Sequence, residues 1–228
     1  MTVADALERP VLSFLSGPGA GITLRQAGAL RLDPDFGLFA ALEDAGPESL
    51  EAMAGHVRTS GPALFMQPDV PPPVPGTRVA TQAAGVQMVG EEAPARPPPA
   101  FEIIPLTDAD APQMLALATL TRPGPFARRT HELGGFVGVK EDGRLVAMAG
   151  ERMRMPGFAE VSGVCTHPDR RGRGYAAGLM RHVAEKIRAR GETPFLHAYA
   201  SNTGAIGLYE SLGYRTRRQV LVTVLEPA

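Results

Sequence analysis

Apolar and polar positions follow two different periods in the C-terminal half of the chain. Between residues 176 and 187 the apolar side chains recur at helical spacing with charged residues on the opposite face, which predicts an amphipathic helix. Short apolar runs at 161–165 and 195–200 lie on either side of it and indicate buried strands. Because a strand–helix–strand unit joins strands that run in the same direction, we expect these two strands to be parallel, with a right-handed crossover.

Further strands and helices are predicted around this unit from the same two periods and from turn residues. The predicted strands are at 101–105, 135–139, 144–150 and 214–225, and the predicted helices follow Thr107 and follow Ser201 or Asn202, the latter ending at Gly213. This order predicts an α+β domain with α/β/α layers, in which helices flank a mixed central sheet.

Prolines divide the chain into two parts. Residues 91–100 contain four prolines, which can form neither a helix nor a central strand, so we expect a stiff linker there. It separates a smaller N-terminal α/β segment, residues 1–90, from a larger domain, residues 101–228. The N-terminal segment is expected to contain a helix at 47–57 and strands at 63–66 and 86–89.

Composition narrows the class of protein. The 228 residues are 44% hydrophobic and 21% charged, as in ordinary globular proteins, and a net charge of −1 gives no basis for binding nucleic acid or an anionic membrane. A single cysteine, Cys165, excludes an intrachain disulfide and a cysteine-based zinc site, and we expect no metal. The first residues do not resemble a signal peptide and no apolar run approaches the roughly 20 residues of a membrane span, so we expect a cytoplasmic protein.

A turn rich in glycine and arginine connects the strand at 161–165 to the amphipathic helix. Glycines let the backbone approach an anion, and the start of a helix offers unpaired N–H groups and the positive end of a dipole. Arginine side chains add positive charge to the same turn, which therefore predicts a phosphate site. The turn consists of Arg170, Arg171, Gly172, Arg173 and Gly174.

The same glycines also satisfy a dinucleotide-binding fingerprint. Gly172, Gly174 and Ala177 fit G-x-G-x-x-A, and Glu192 follows Gly172 by 20 residues. In a dinucleotide-binding unit, however, the acidic residue ends the second strand, whereas Glu192 precedes its strand. We therefore reject a nicotinamide dinucleotide as the ligand.

Two motifs together resemble the GNAT superfamily of acyl-CoA-dependent N-acetyltransferases, over residues 101–225. Arg171, Gly174 and Ala176 fit the family's phosphate motif, which is Arg or Gln, two residues, Gly, one residue, then Gly or Ala. The second motif follows after a helix and a strand, in the order of the family. It consists of Asn202, Ala205, Tyr209, Gly213 and Tyr214.

The resemblance implies acetyl-CoA as cosubstrate and direct attack of an amine on the thioester, in a ternary complex. The N–H groups of residues 171–177 would bind the pyrophosphate, and the strand at 164–166 would pair with the pantetheine arm. The implied cofactor-binding residues are Val164, Cys165, Thr166, Arg171, Gly172, Arg173, Gly174, Tyr175, Ala176, Ala177 and Asn202.

The resemblance also implies two catalytic residues. Tyr209 would protonate the departing thiolate, although its position on an apolar helix face also suits a core residue. Glu160 would act as a base through water, or it is an exposed glutamate at a strand end. Glu151 and His197 are lesser candidates for the base. Cys165 lies in an apolar run without a basic partner and is better explained as a small buried side chain than as a nucleophile.

The acceptor and the N-terminal segment are less well defined. The loop at 121–130 either lines the acceptor site, in which case Arg122, Arg128 and Arg129 favour an anionic acceptor, or it is a solvated basic loop. We expect the acceptor to be a small-molecule or peptide amine and the protein to be a monomer or homodimer. The alternative to an enzyme is a non-catalytic acyl-CoA-binding module or sensor. Residues 1–90 would be a degenerate copy of the family fold in the place of a dimer partner.

Overall fold

Two β-sheets organise the residues that this computed structural model describes, which are 6–91 and 97–228. The strands are β1 (Thr23–Gln26), β2 (Ala29–Leu32), β3 (Ala40–Leu42), β4 (Ala63–Gln67), β5 (Thr77–Gly90), β6 (Ile104–Pro105), β7 (Val137–Glu141), β8 (Arg144–Met155), β9 (Phe158–Thr166), β10 (Thr193–Tyr199) and β11 (Tyr214–Pro227). The helices are α1 (Pro10–Leu15), α2 (Pro47–Ser60), α3 (Ala111–Thr121), α4 (Tyr175–Ala189) and α5 (Thr203–Ser211). The large sheet has the order β4-β11-β5-β10-β9-β8-β7-β6, and the small one has the order β1-β2-β3.

The predicted strand–helix–strand unit is β9, α4 and β10. The two strands run parallel, whereas β10 pairs with β5, and β9 with β8, in the antiparallel sense. Helix α4 ends at Ala189, and Gly191 adopts φ +75°, the left-handed conformation that terminates many helices. The prediction of a mixed sheet flanked by helices is confirmed.

The large sheet buries both of its faces. On one face Val161 and Leu196 pack in an apolar cluster with Leu179 of α4. On the other face Phe195 and Val222 pack in a cluster that includes side chains of the N-terminal segment, α1 among them. Helix α3 packs on this second face over β8 and β9, through a third cluster. Each fully buried Leu, Val or Phe side chain contributes about 1.5–3 kcal/mol to folding, so both faces are needed for stability.

The N-terminal segment and the C-terminal domain share the large sheet. Strand β5 lies between β10 and β11, and β4 pairs with the outer side of β11. The predicted boundary at 91–100 therefore does not separate two sheets; residues 92–96 of it lie outside the described part of the chain. That residues 1–90 are a degenerate copy of the family fold stays a prediction.

Several smaller expectations differ from the structure in their bounds; the strand predicted at 86–89, for example, is the end of the longer β5. The strand predicted at 101–105 is confined to β6, because only Ile104 and Pro105 pair with β7. Thr107 forms a capping box with Asp110, as a cap should, but the first turn is a 3-10 helix that leads into α3. None of the helices in the described ranges combines the length and apolar character needed to cross a bilayer.

Candidate functional site

A cleft opens where β9 and β10 separate. The two strands pair only from Phe158–Glu160 to Thr193–Phe195, although β9 continues to Thr166 and β10 to Tyr199. Beyond the paired residues they enclose a cleft of about 670 Å³. It is also lined by α5, by the glycine- and arginine-rich turn, and by residues 121–125. The cleft thus joins the two predicted motifs to the central strand.

A β-bulge distorts β9 at the edge of this cleft. Ser162 pairs with Gly150 and Cys165 pairs with Met148, so β9 has one residue more than β8 in this interval. Gly163 lies inside the bulge at φ +63°, and a Cβ atom there would come within 2.7 Å of the Phe136 ring. A bulge interrupts the regular ladder and bends the strand, and such features are common beside active sites.

The predicted phosphate turn is shaped to receive an anion. Gly172 and Gly174 adopt φ +77° and +76°, and an added Cβ at either position would meet no described atom within 4 Å. Gly174 is the N-cap of α4, no side chain caps the helix, and its first turn, which is fully described, contains no acidic residue. The N–H groups at this helix start are therefore open towards the cleft, as an anion site requires.

Two arginine side chains of this turn and Tyr175, the first residue of α4, are held by one carboxylate, Glu141, at the tip of the β7–β8 hairpin. The Tyr175 hydroxyl donates to Glu141 Oε1 over 2.6 Å, and Arg170 Nε donates to Oε2 over 2.6 Å. Arg173 Nη1 donates to Oε1 over 3.2 Å. These contacts, Tyr175 first, lower the pKa of Glu141. The sequence reasoning missed Glu141, because its place in a hairpin turn gave no sign of these partners.

Arg171 differs from the other arginines of the turn. It is exposed, it lines the cleft, and it has no carboxylate partner among the described residues. It is therefore available to pair with a bound phosphate.

Helix α5 brings the second motif to the cleft. Asn202 Oδ1 accepts a hydrogen bond of 3.2 Å from the Ala205 N–H, so Asn202 caps the helix. No residue of α5 is fully buried despite its apolar face, because Ala205, Leu208 and Tyr209 line the open cleft. Asn202 also lines the cleft, which fits the predicted double role of cap and cofactor contact.

Tyr209 carries a hydroxyl that is suited to donate a proton. Its ring is partly buried and contacts the ring of Tyr214 edge-on, with the centroids 6.4 Å apart. Burial raises the pKa of Tyr209, so the hydroxyl stays protonated at neutral pH. Among the described residues no group forms a hydrogen bond with it, which leaves it available to a ligand in the cleft.

Glu160 is enclosed, in contrast to the exposed strand end that the sequence allowed. It has no exposed surface and does not line the cleft. Its Oε1 accepts from Arg152 Nη2 at 2.7 Å and from His197 Nδ1 at 2.8 Å, and its Oε2 accepts from Arg152 Nε at 2.8 Å. Burial alone would raise the pKa of Glu160, but the Arg152 charge and these hydrogen bonds outweigh it and lower the pKa to about 2. The role of Glu160 as a base through water stays a prediction, and the burial of its carboxylate together with its lowered pKa does not favour it.

His197 lines the cleft and is oriented from both sides. Gln87 Oε1 accepts from Arg217 Nη1 at 2.9 Å, so the Gln87 amide turns its Nε2 towards His197 Nε2, 3.3 Å away. His197 Nε2 is then an acceptor, and Nδ1 carries the hydrogen that is donated to Glu160. Glu160 and Gln87 together fix the orientation of this imidazole. The other lesser candidate, Glu151, is paired with Arg190 and does not line the cleft.

The central strand contributes backbone rather than reactive side chains. Val164, Cys165 and Thr166 all line the cleft, as expected for a strand that pairs with an extended ligand. Burial raises the pKa of the Cys165 thiol to about 11, so it is not a thiolate at neutral pH. This agrees with its interpretation as a small buried side chain.

The basic loop at 121–130 is less cationic than its sequence suggests. Arg128 pairs with Asp35 at 2.5 Å, and Arg129 pairs with Glu132 through two bonds while its guanidinium lies over a phenylalanine ring. Arg122 alone of the three lines the cleft, where it is exposed. The expectation of an anionic acceptor therefore depends on Arg122 and not on a cluster.

The N-terminal segment also lines the cleft, which the sequence reasoning did not find. Phe39, Leu64 and Met66 contribute to it beside Val222 of β11. Leu64 and Met66 lie on one face of β4, where Met66 pairs with Val222. No local signal could have identified these side chains, because only the pairing of β4 with β11 brings them to the cleft.

Comparisons with known proteins agree with this geometry. A family model described as FR47-like protein matches residues 136–222. A protein of Novosphingobium aromaticivorans assigned to the GNAT family of acetyltransferases has a crystal structure with a TM-score of 0.87 and 45% sequence identity; the match covers 97% of this chain and 98% of that one. A GCN5-related N-acetyltransferase from Kribbella flavida shares the fold, with a TM-score of 0.68 at 18% identity, over 100% of this chain and 97% of that one.

Curated proteins match a shorter stretch. An acetyltransferase of Yersinia pestis is 40% identical over 58 residues, which is 25% of this chain and 40% of the relative. The match thus spans less than half the length of these curated relatives.

Proposed function

The chain belongs to the GNAT family of acetyltransferases, and on that premise we propose that it transfers an acetyl group from acetyl-CoA to a primary amine, by direct attack in a ternary complex. One observation carries the proposal: the open start of α4 and the Tyr209 hydroxyl line the same cleft, between strands that separate. An anion site and a proton donor are thereby joined along one channel.

The residues of the phosphate turn fit the pyrophosphate of CoA. The N–H groups from Arg171 to Ala177 would bind its oxygens, since Gly172 and Gly174 leave room for close approach. Arg171 would add a charge-assisted contact, and Asn202 would contact the cosubstrate from the start of α5. The backbone of β9 from Val164 to Thr166 would pair with the pantetheine arm.

Two features of the chain support the chemical step. The transfer forms a bond between the acceptor nitrogen and the acetyl carbon and breaks the thioester carbon–sulfur bond. Backbone N–H groups at the β9 bulge would donate to the carbonyl oxygen as negative charge develops on it. Tyr209 would give its proton to the departing sulfur. The acceptor nitrogen loses one proton to water and Tyr209 regains one from water, so protons balance.

Two measurements in sequence test the proposal. Calorimetry first measures acetyl-CoA binding, and a thiol reagent then follows CoA release over a panel of primary amines. We expect binding, release that depends on the amine, and strongly reduced release for Tyr209→Phe. If acetyl-CoA binds but no amine causes CoA release, and Tyr209→Phe leaves the binding unchanged, the result would instead support an acyl-CoA-binding module without catalytic activity.

A further inference from the structure

We propose that the acceptor enters the cleft from the sheet face covered by the N-terminal segment, and that it is a primary amine carried on an apolar group without a second positive charge. This inference rests on the proposed function, because it identifies the acceptor side of the same cleft. The observation behind it is that the lining residues come from both faces of the large sheet.

The cleft passes through the sheet. The phosphate turn and α5 lie on the α4 face, where Leu196 and Val161 pack with Leu179. Phe39 and Met66 line the cleft from the opposite face, in the cluster that contains Phe195. A channel between the two is possible because β9 and β10 are unpaired beyond Glu160 and Phe195. If CoA occupies the α4 face, the end on the N-terminal side is left for the acceptor.

This acceptor end is apolar. Phe39, Leu64, Met66 and Val222 belong to one hydrophobic cluster and are each less than 10% exposed. A ligand group placed against them leaves water for an apolar surface, which is favourable for carbon and unfavourable for an unpaired charge. The carbon skeleton of the acceptor is therefore expected to contact these side chains.

The charges at the cleft disfavour a second ammonium group. No described residue that lines the cleft is aspartate or glutamate, whereas several are arginines. Arg152 lines this end, with its guanidinium 4.4 Å from the centre of the Phe39 ring, and its partner Glu160 is already saturated by Arg152 and His197. A diamine or polyamine would thus bring a cation that finds no carboxylate. The same positive surroundings favour the neutral, nucleophilic form of a bound monoamine.

Calorimetry on the full chain saturated with CoA tests this inference directly. The probes are 2-phenylethylamine and n-hexylamine, compared with 1,4-diaminobutane and spermidine at one pH and ionic strength. We expect each apolar monoamine to bind at least about tenfold more tightly than either polyamine, since differences of one or a few methylenes in an apolar pocket already give about 10–200-fold discrimination. Equal affinities, or tighter binding of a polyamine, would overturn the inference.

Substitutions of apolar cleft residues test whether this surface binds the acceptor. Met66→Ala is expected to weaken 2-phenylethylamine binding by about tenfold, with CoA affinity unchanged. Phe65→Leu is the matched control, because Phe65 is buried on the same strand but packs in a different cluster and does not line the cleft. Phe39→Leu is a second test with a smaller change of volume. If both cleft variants bind CoA and 2-phenylethylamine as the unaltered chain does, the inference is wrong.

Measuring acetyl transfer distinguishes a failure of this inference from a failure of the proposed function. Selective binding of apolar monoamines without CoA release would refute the transfer and leave the acceptor-end assignment intact. Rapid CoA release with spermidine, but little with 2-phenylethylamine, would support the transfer and refute the apolar acceptor.

Discussion

His197 on β10 stands opposite Gln87 on β5, and the Gln87 side chain contacts the imidazole although the two residues are 110 positions apart. Gln87 is itself held by Arg217, on the other side of β5. A strand from the N-terminal segment thus orients a cleft residue of the C-terminal domain. The two parts of the chain share one structural unit at the site.

We therefore predict that residues 101–228 do not fold alone. Strand β5 supplies hydrogen-bonding partners to β10 over five residues and to β11 along its whole length, so its removal exposes two central strands at once. Buried backbone groups without partners are costly, and open strand edges promote aggregation. Circular dichroism with thermal unfolding is expected to show no cooperative transition for the fragment.

The 228-residue chain with Pro98→Ala and Pro99→Ala in the linker serves as the control. These substitutions alter the predicted linker and leave every strand in place, so cooperative unfolding should persist. A soluble 101–228 fragment with a cooperative transition and full activity would contradict the prediction.

Local sequence signals were sufficient to predict the phosphate turn and helix α5. Gly172 and Gly174 are needed for backbone conformations that only glycine adopts easily, and Asn202 is a strong capping residue. Such preferences depend on a few neighbouring residues and can be identified in the sequence. The helices and strands around Tyr209 were therefore predicted to within a few residues.

Contacts between distant strands could not be predicted in the same way. The first half of β5 has little apolar alternation and is largely exposed, so its pairing with β11, and not its own sequence, makes it a strand. The enclosure of Glu160 could not be predicted, because neither Arg152 nor His197 is a recognisable partner in sequence. Their approach depends on the register of β8, β9 and β10.

Replacing Gly174 with valine is expected to abolish measurable acetyl-CoA binding. The substitution places a β-branched side chain at φ +76°, in the open space that a pyrophosphate would occupy. Gly76→Val is the matched control, since Gly76 has φ +65° with equally open surroundings and does not line the cleft. Calorimetry should show binding for Gly76→Val and none for Gly174→Val. Equal losses in the two variants would mean that strain, and not the phosphate site, is responsible.

Tyr209→Phe is expected to lower kcat by about 10²–10⁴-fold, the usual contribution of a general acid, while acetyl-CoA affinity is retained. Burial raises the pKa of Tyr209, so the acid remains protonated and its loss should matter at neutral pH. Tyr214→Phe is the control, because the Tyr214 hydroxyl is buried without a partner among the described residues. Removing it should leave activity unchanged and stability equal or higher. Similar loss of kcat in both variants would contradict the assignment.

Glu160→Gln is expected to reduce the free energy of unfolding by about 3–5 kcal/mol, because it leaves the Arg152 charge buried without its carboxylate. Both side chains are almost fully buried, so solvent screens the pair little. Glu51→Gln is the control, because Glu51 is two-thirds exposed and its ion pair with Arg58 is long, at 3.8 Å, so it contributes little to stability. Urea unfolding of the two variants should separate them. If the free energies of unfolding of the two variants differ by less than about 1 kcal/mol, the buried pair contributes no more than a surface pair, for which about 0–1 kcal/mol is usual.

The lowered pKa of Glu160 also predicts how the stability of the fold changes at acidic pH. The pKa of Glu160 is about 2 in the folded chain and should return to its ordinary value of 4.5 on unfolding. A carboxyl group with a lowered folded pKa stabilises the fold fully above pH 4.5, and this contribution disappears as the pH falls from 4.5 towards 2. The difference corresponds to about 3 kcal/mol at about 1.4 kcal/mol per pKa unit. Urea midpoints between pH 6 and pH 3 should therefore fall more steeply for the unaltered chain than for Glu160→Gln, which lacks the titrating group. Parallel pH profiles for the two proteins would show that Glu160 is not the source of acid sensitivity.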